Sequence, residues 1–450
     1  MSVITNLIKM FKEHPRGFWF IFWGEFAERA SFYGMKTLLV FYMIDVIKYN
    51  DANSSTIASL FSAAAYALPI LGGIIADRWL GKFKTIIYFA IPYIMGHIIL
   101  GTFDNKVGLF VALALLAGGS GAIKPNISTL MGLMYDKAGK RHLMSQAFSY
   151  FYFAINLGAF LTSATLPRIR TLYSYEVAFI APTVLMVVSL GIFYLGKKYY
   201  PVENMKEIRN QNKSFKTPEQ RIMERKIIWR ILGLFSLIIF FWSIFDQSYS
   251  TWTLFARDYL NLETFIGKID ADALQSANPI LILIITPLFA WFFTRVDKSE
   301  KYNLTGPRKM LIGFVLVIIC MGVMSIAGFL AVHERISMMW EIASYVLITM
   351  AEVCISITGL QLAYEEAPHH MKSFITGLWL VTISIADVLA GLFARVYTKV
   401  QPGEYFAGMT VMIAIVTIAF YFVGRKFDKQ PGALKQEYEK NFNSLGNQGD

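Results

Sequence analysis

Near the start of the chain, Glu25, Glu28, Arg29, Tyr33 and Lys36 recur at helical spacing. Steps of three and four residues place them above one another on one face of an α-helix. The sequence around them, from Phe18-Trp19-Phe20-Ile21-Phe22-Trp23 to Leu38-Leu39-Val40-Phe41, is apolar enough to sit in a bilayer. A charge facing lipid is costly, so such groups turn to a bundle interior or a wet cavity and mark a path for ions or solutes. A stripe carrying both signs suits a proton and a zwitterionic solute. Glu25 and Glu28 read as the proton carriers. Burial and the cations Arg29, Lys36 and Lys124 act on them in opposite senses, and a balance that changes as the site opens couples proton uptake to conformation. The competing account is a static ion-pair network that holds the first helix in place. Lys124 lies deep in another apolar run, where an isolated ammonium is unfavourable. The first-segment carboxylates are its expected partners, and snorkelling to a boundary is the alternative.

The elements that position these groups follow from composition and hydropathy. Of 450 residues, 55% are hydrophobic and only 16% charged, which excludes an ordinary soluble domain and predicts an integral membrane protein. The formal charge of +11 could suit nucleic acid, but the cations sit in short loops between apolar runs, so no nucleic-acid partner is expected. Cys320 and Cys354 lie in apolar segments without metal-ligand spacing and read as core. No phosphate loop, metal cluster or nucleophile–base arrangement is present, so the chain is not expected to be an enzyme and no cofactor is expected, protons serving as the coupling ion. The polar N-terminus followed by a long, charged apolar run predicts no cleavable signal peptide.

Runs of bilayer-spanning length fall near 17–46, 55–77, 84–103, 107–134, 145–167, 175–196, 228–256, 274–295, 309–332, 338–364, 373–399 and 405–424. The predicted fold is therefore all-α, with twelve transmembrane helices in two six-helix bundles. The predicted domains are a first bundle over 1–196, a linker over 197–226, a second bundle over 227–426 and a tail over 427–450. Alternate loops carry the cations, among them Arg78/Lys82/Lys84, Lys137/Lys140/Arg141 and Arg425/Lys426/Lys429. Cation-rich loops stay in the cytoplasm, which places both termini there. Part of Lys197 to Lys226 could lie on the membrane as an amphipathic helix. Two halves of six suit an alternating-access transporter.

Several motifs sharpen this reading. Gly73-Ile74-Ile75-Ala76-Asp77-Arg78-Trp79-Leu80-Gly81-Lys82 follows the second run and resembles the signature of the major facilitator superfamily, with Asp77 and Arg78 placed to pair or to cap helix ends. Glu25-Phe26-Ala27-Glu28-Arg29 resembles the Glu-x-x-Glu-Arg motif of the proton-coupled oligopeptide transporters. Gly121-Ala122-Ile123-Lys124-Pro125-Asn126, Phe151-Tyr152-Phe153-Ala154-Ile155-Asn156-Leu157-Gly158 and Phe241-Trp242-Ser243-Ile244-Phe245-Asp246-Gln247 are similar to further signatures of that family. So are Glu352, Ala367-Pro368 with Met371-Lys372-Ser373, and Gly377-Leu378-Trp379. The likeness covers nearly the whole chain in the right order.

The resemblance implies a proton-driven symporter of di- and tripeptides, with Glu25, Glu28, Arg29, Lys124 and Asp246 in proton coupling. It implies a substrate site drawn from Arg29, Tyr33, Lys36, Tyr66, Lys124, Asn156, Asn278, Glu352 and Trp379. Arg29, Lys36 and Lys124 would meet a peptide carboxylate, Glu352 the amino group, the amides the peptide backbone, and the aromatics its side chains. For the aromatics plain helix packing is the competing account, and for Asn156 and Asn278 helix-to-helix bonding. Two positions depart from the family. Lys36 stands where arginine is usual and lacks the bidentate fork, and Asp246 stands where many members have glutamate. A pairing of Asp246 with Arg29 would form an extracellular gate. His97, Trp242 and Tyr152 read as core, and His369 and His370 as surface groups. Asp387 has no assigned role. A carrier of another small anion or amino-acid-like solute, and a peptide sensor that does not transport, are the alternative functions. The short loops favour a bacterial inner membrane, with lipid as surroundings and a monomer as the expected state.

Overall fold

The computed structural model describes residues 13–201, 203, 218–265, 267–297, 304–359, 361, 362, 372–429 and 436–438. The helices in order are α1 (Arg16–Asp45), α2 (Asp51–Ala67), α3 (Pro69–Ile75), α4 (Lys82–Thr102), α5 (Lys106–Lys137), α6 (Met144–Leu172) and α7 (Tyr175–Leu195), then α8 (Pro218–Phe245), α9 (Thr251–Tyr259), α10 (Ala277–Asp297), α11 (Gly306–Leu330), α12 (Met339–Glu352), α13 (Lys372–Tyr397) and α14 (Pro402–Lys429). Eleven helical stretches among the described residues are long and apolar enough to cross a membrane. The twelfth is α1. Its 30 residues rise about 45 Å at 1.5 Å per residue, and the buried ionisable stripe alone interrupts its apolar character. The chain is a multi-pass, almost wholly helical membrane protein, as the sequence predicts. Short strands β1 (Leu260–Asn261) and β4 (Ile336–Ser337) pair in parallel, and β2 (Glu263–Thr264) and β3 (Gly267–Lys268) form a small hairpin.

Two compact units make up the chain. The first comprises Met1–Asn50, Ala64–Lys213 and Asp272–Ile280. Within it α1 packs against α6 and α7, and α4 runs along α5. Gly158 makes the first of these approaches possible, because a Cβ there would lie 2.7 Å from the Phe26 carbonyl oxygen and 3.1 Å from the Ala30 nitrogen. Asn126 on α5 donates to the carbonyls of Ala122, at 2.7 Å, and Gly72, at 3.3 Å. Arg170 Nη1 binds Asp272 Oδ2 at 2.5 Å and fixes Asp272–Ile280 in this unit.

The second unit comprises Asp51–Ala63, Ser214–Ala271 and Leu281–Asp450. There α11 lies against α12 and α14, and α8 against α13 and α14. The start of α2 belongs here: Thr56 Oγ1 donates to Gly391 O at 3.0 Å, Ser384 Oγ to Ala63 O at 2.8 Å, and Arg257 Nη2 meets Asp51 Oδ2 at 2.7 Å. Sequence order alone would put Asp51–Ala63 and Asp272–Ile280 each with the opposite half.

Three local features differ from the sequence expectation. The run over 228–256 is not one helix: α8 begins at Pro218, ends at Phe245 and yields to a tight turn over Asp246–Tyr249 before α9. The run over 338–364 loosens into a π-helical turn at Val353–Ile357. Tyr152 is 37% exposed rather than core. The remaining linker residues 204–217, the Ala367-Pro368 and Met371 positions, and His369 and His370 lie outside the described residues.

Candidate functional site

In the first unit the stripe on α1 is sealed from solvent: Glu28 is 0% exposed, Arg29 1% and Glu25 3%. Burial takes these charges out of bulk water, so pairing among them must offset the desolvation. Arg29 Nη2 donates to Glu28 Oε1 at 2.5 Å, its Nε also binds Glu28, and Glu25 Oε1 stands 3.3 Å from that same Nε. One guanidinium therefore serves two carboxylates. Its face lies over the Phe32 ring, 5.3 Å from the centroid.

Lys124 sits on α5 just before Pro125, whose ring removes a backbone donor and loosens the helix there. The Ser128 and Thr129 hydroxyls donate to Pro125 O at 3.2 and 2.8 Å, one turn further along the helix. The Lys124 ammonium does not reach a first-helix carboxylate. It stands 3.8 Å above the Tyr66 ring and 5.9 Å from that of Phe32, an aromatic cradle for a cation. Arg29, Glu28, Glu25 and Lys36 all act on it electrostatically. Lys36 is itself buried, and Tyr33 is half-buried beside Arg29. Asn156 is buried and donates to Tyr152 O at 2.9 Å, one turn back on its own helix. Asn278, also buried, belongs to the first unit through Asp272–Ile280.

Sequence reasoning missed two members of this cluster. Phe32 provides the ring shared by both cations. Tyr93 on α4 is fully buried beside Glu28, Arg29 and Ser120, and Gly119 makes room for it, since a Cβ there would lie 2.5 Å from Tyr93 Cβ. The available signal was Tyr93 and His97, two polar groups one turn apart in an apolar run. His97 is core as expected, its Nε2 2.8 Å from Ser31 Oγ.

The second unit carries Asp246, Glu352 and Trp379. Asp246 is buried at the start of the turn after α8, and Ser59 Oγ donates to its Oδ2 at 3.5 Å. Glu352 is half-buried at the last position of α12, where the π-helical turn begins; such turns recur at functional sites. Trp379 is buried edge-on to Phe235 and Trp242, with centroids at 5.3 and 6.3 Å, and rests over Gly359. At the end of α3, Asp77 pairs with Lys82 at 2.9 Å, and Lys82 reaches Glu203 at 2.9 Å. Gly81 turns the chain there with φ +77°, a region other residues rarely adopt.

The POT family profile matches residues 83–217 and 202–412. The chain belongs to the POT family. It is 33% identical over 357 residues to human "Solute carrier family 15 member 2", covering 69% of this chain and 48% of that protein. It therefore spans about half the length of that relative. It is 25% identical over 469 residues to "Uncharacterized transporter YclF" of Bacillus subtilis (strain 168), covering 91% and 93%. The crystal structure of the POT family transporter PepTSo superposes with a TM-score of 0.82 at 27% identity, covering 93% of this chain and 99% of that one. The fold of this POT-family chain is thus that of the major facilitator superfamily, and its relatives are carriers rather than enzymes.

Chemically, the first-unit cluster can take up a proton on one acid while Arg29 stays paired with the other. The cradled Lys124 and buried Lys36 add positive charge suited to an anionic group.

Proposed function

We propose that this chain is a proton-coupled symporter that imports di- and tripeptides by alternating access. The carrying observation is that Glu25 and Glu28 share Arg29 in a sealed helix, with the Lys124 ammonium held on Tyr66 nearby. Glu25, Glu28, Arg29, Lys124 and Asp246 carry the coupling in this reading. Arg29, Lys36 and Lys124 attract the peptide carboxylate, Glu352 the amino terminus, and Tyr33, Tyr66, Asn156, Asn278 and Trp379 complete recognition. No resident cofactor is needed beyond the proton itself. The setting is a bacterial inner membrane with both termini cytoplasmic, and the working unit is a monomer in lipid.

The test is uptake of labelled dialanine by the full chain in proteoliposomes under an inward proton gradient. Accumulation above equilibrium, collapsed by dissipating the gradient, is expected. A peptide sensor would bind without accumulating, and no gradient-driven uptake of any di- or tripeptide would reject the proposal. Lys36, which lacks the fork of arginine, favours one second reading, an amino-acid-like solute. Competition by alanyl peptides of graded length separates the two.

A further inference from the structure

Glu341 lies outside the cluster described above, in the first turn of α12 in the second unit, and is 0% exposed. Neither carboxylate oxygen accepts a hydrogen bond from any described residue. No cation among the described residues pairs with it. Two buried donors of the same unit are likewise without acceptors, Tyr397 Oη on α13 and Trp252 Nε1 on α9. Tyr345, one turn along α12, packs edge-on against Trp252 at 5.2 Å and donates to Ser248 O at 3.3 Å. Tyr345 and Tyr397 both feel the charge of Glu341. The other titratable groups around these tyrosines are Tyr249, Cys320, Asp258, Tyr259 and Tyr405. None of these groups is a cation, and Arg257, the cation next to Asp258, is paired with Asp258 and Asp51.

An unpaired ionised carboxylate in such a place is far costlier than the neutral acid. A bound proton removes that cost, in the same unit as the two unpaired donors Tyr397 Oη and Trp252 Nε1. Two features allow the proton to leave again. The first turn of a helix favours a negative charge, and Glu341 sits only a few residues beyond β4, which is held by its two-residue pairing to β1 and by Arg335 Nη1 donating to Leu260 O at 3.1 Å. Wetting this end of α12 would tip the balance toward the carboxylate.

We propose that Glu341 is a second proton-binding site, separate from the Glu25–Glu28 cluster, which loads and releases a proton in each transport cycle. This rests on the proton-driven reading above. The test combines infrared difference spectra of the purified full chain with reversal-potential measurement of the proton-to-peptide ratio in proteoliposomes. Glu341→Gln should remove one carboxylic-acid C=O band and lower the ratio by one proton, while Glu341→Asp keeps both. A band that persists in Glu341→Gln overturns the proposal, and so does a lost band with an unchanged ratio, because the acid is then static. If Glu341→Gln does not fold, Glu341→Asp decides: a carboxylic band displaced from its wild-type frequency supports the site, and an unmoved band overturns it. Absence of proton-driven uptake in the wild type would instead sink the underlying functional reading.

Discussion

Replacing Glu28 with glutamine removes one charge from the cluster while preserving its shape. In the native arrangement Arg29 gives Nε and Nη2 to Glu28 and shares Nε with Glu25 at 3.3 Å. Unit charges at that separation interact by about 5 kcal/mol at an effective dielectric near 20, so Glu25 alone still holds the guanidinium. Full rupture of a buried pair costs about 3–5 kcal/mol. Losing one of two partners, with a glutamine carbonyl still able to accept, should cost about 2 kcal/mol by the same scale. The fold therefore survives, and the lesion falls on coupling: glutamine cannot carry a proton. In proteoliposomes, gradient-driven accumulation of dialanine should fall to the level of passive equilibration. Counterflow exchange against preloaded peptide, which needs no net proton movement, should stay within a few-fold of wild type. Normal uphill uptake in Glu28→Gln would refute the reasoning outright. Loss of both activities with a normal melting temperature would show that Glu28 serves binding rather than coupling.

Other expectations follow from individual contacts. Tyr66→Leu removes the ring beneath Lys124, and a buried cation–π contact of about 2 kcal/mol sets an upper bound of ~30-fold on the rise in peptide Kd; an unchanged value would show that the ring does not orient the ammonium. Gly158→Leu should abolish the folded protein, because a Cβ meets the Phe26 carbonyl at 2.7 Å, whereas Gly73→Ala, inside α3 with nothing within 4 Å, should leave the melting temperature at or slightly above the wild-type value. His14 precedes the first span and is buried against Phe18 and Tyr135, its Nδ1 2.5 Å from the Tyr135 hydroxyl. Burial pushes its pKa below the usual 6.5. The unfolded chain thus binds a proton first as pH falls, so stability is full above about pH 6.5 and declines below it. His14→Phe should flatten that part of the melting-temperature profile, and an identical slope in both proteins would exclude the residue as its source.

What the sequence disclosed and what it withheld divide along a physical line. Apolar runs of spanning length are a one-dimensional property, so the helices and the ionisable stripe on α1 could be read directly. Pairing is three-dimensional. The stripe shows that Arg29 must be paired, and the i,i+4 step names Glu25, but nothing in the spacing says that Glu28 would take the closer contact. Lys124 was expected against a carboxylate, and the aromatic alternative required knowing that Tyr66 rises beneath it. Ser59 beside Asp246, and the membership of Asp51–Ala63 in the second unit, depend on which helices neighbour one another. Glu341 was not singled out at all. A glutamate near the end of an apolar run reads as an interface residue, and only its burial and lack of donors distinguish it.

The sharing of one arginine by two acids bears on why the site holds charges at all. A buried ion pair seldom stabilises a fold more than apolar residues of similar volume, so a static network would be an expensive way to pack α1. A triad differs from a pair in one respect. When either carboxylate is protonated, the guanidinium keeps an anionic partner, and no uncompensated charge is stranded in the protein interior. The two acids must then titrate as one coupled system rather than as independent groups. Arg29 has a further buried nitrogen, Nη1, without a hydrogen-bond partner among the described residues. An incoming carboxylate that claimed it would compete with Glu25 and Glu28 for the same cation, weaken the hold on whichever is charged, and favour its protonation. Substrate and proton would then promote each other's binding, which reciprocal linkage requires of any symporter. In this arrangement Arg29→Lys should be more damaging than its conserved charge suggests, because a single ammonium cannot divide its donors among two acids and a guest with the same planar geometry.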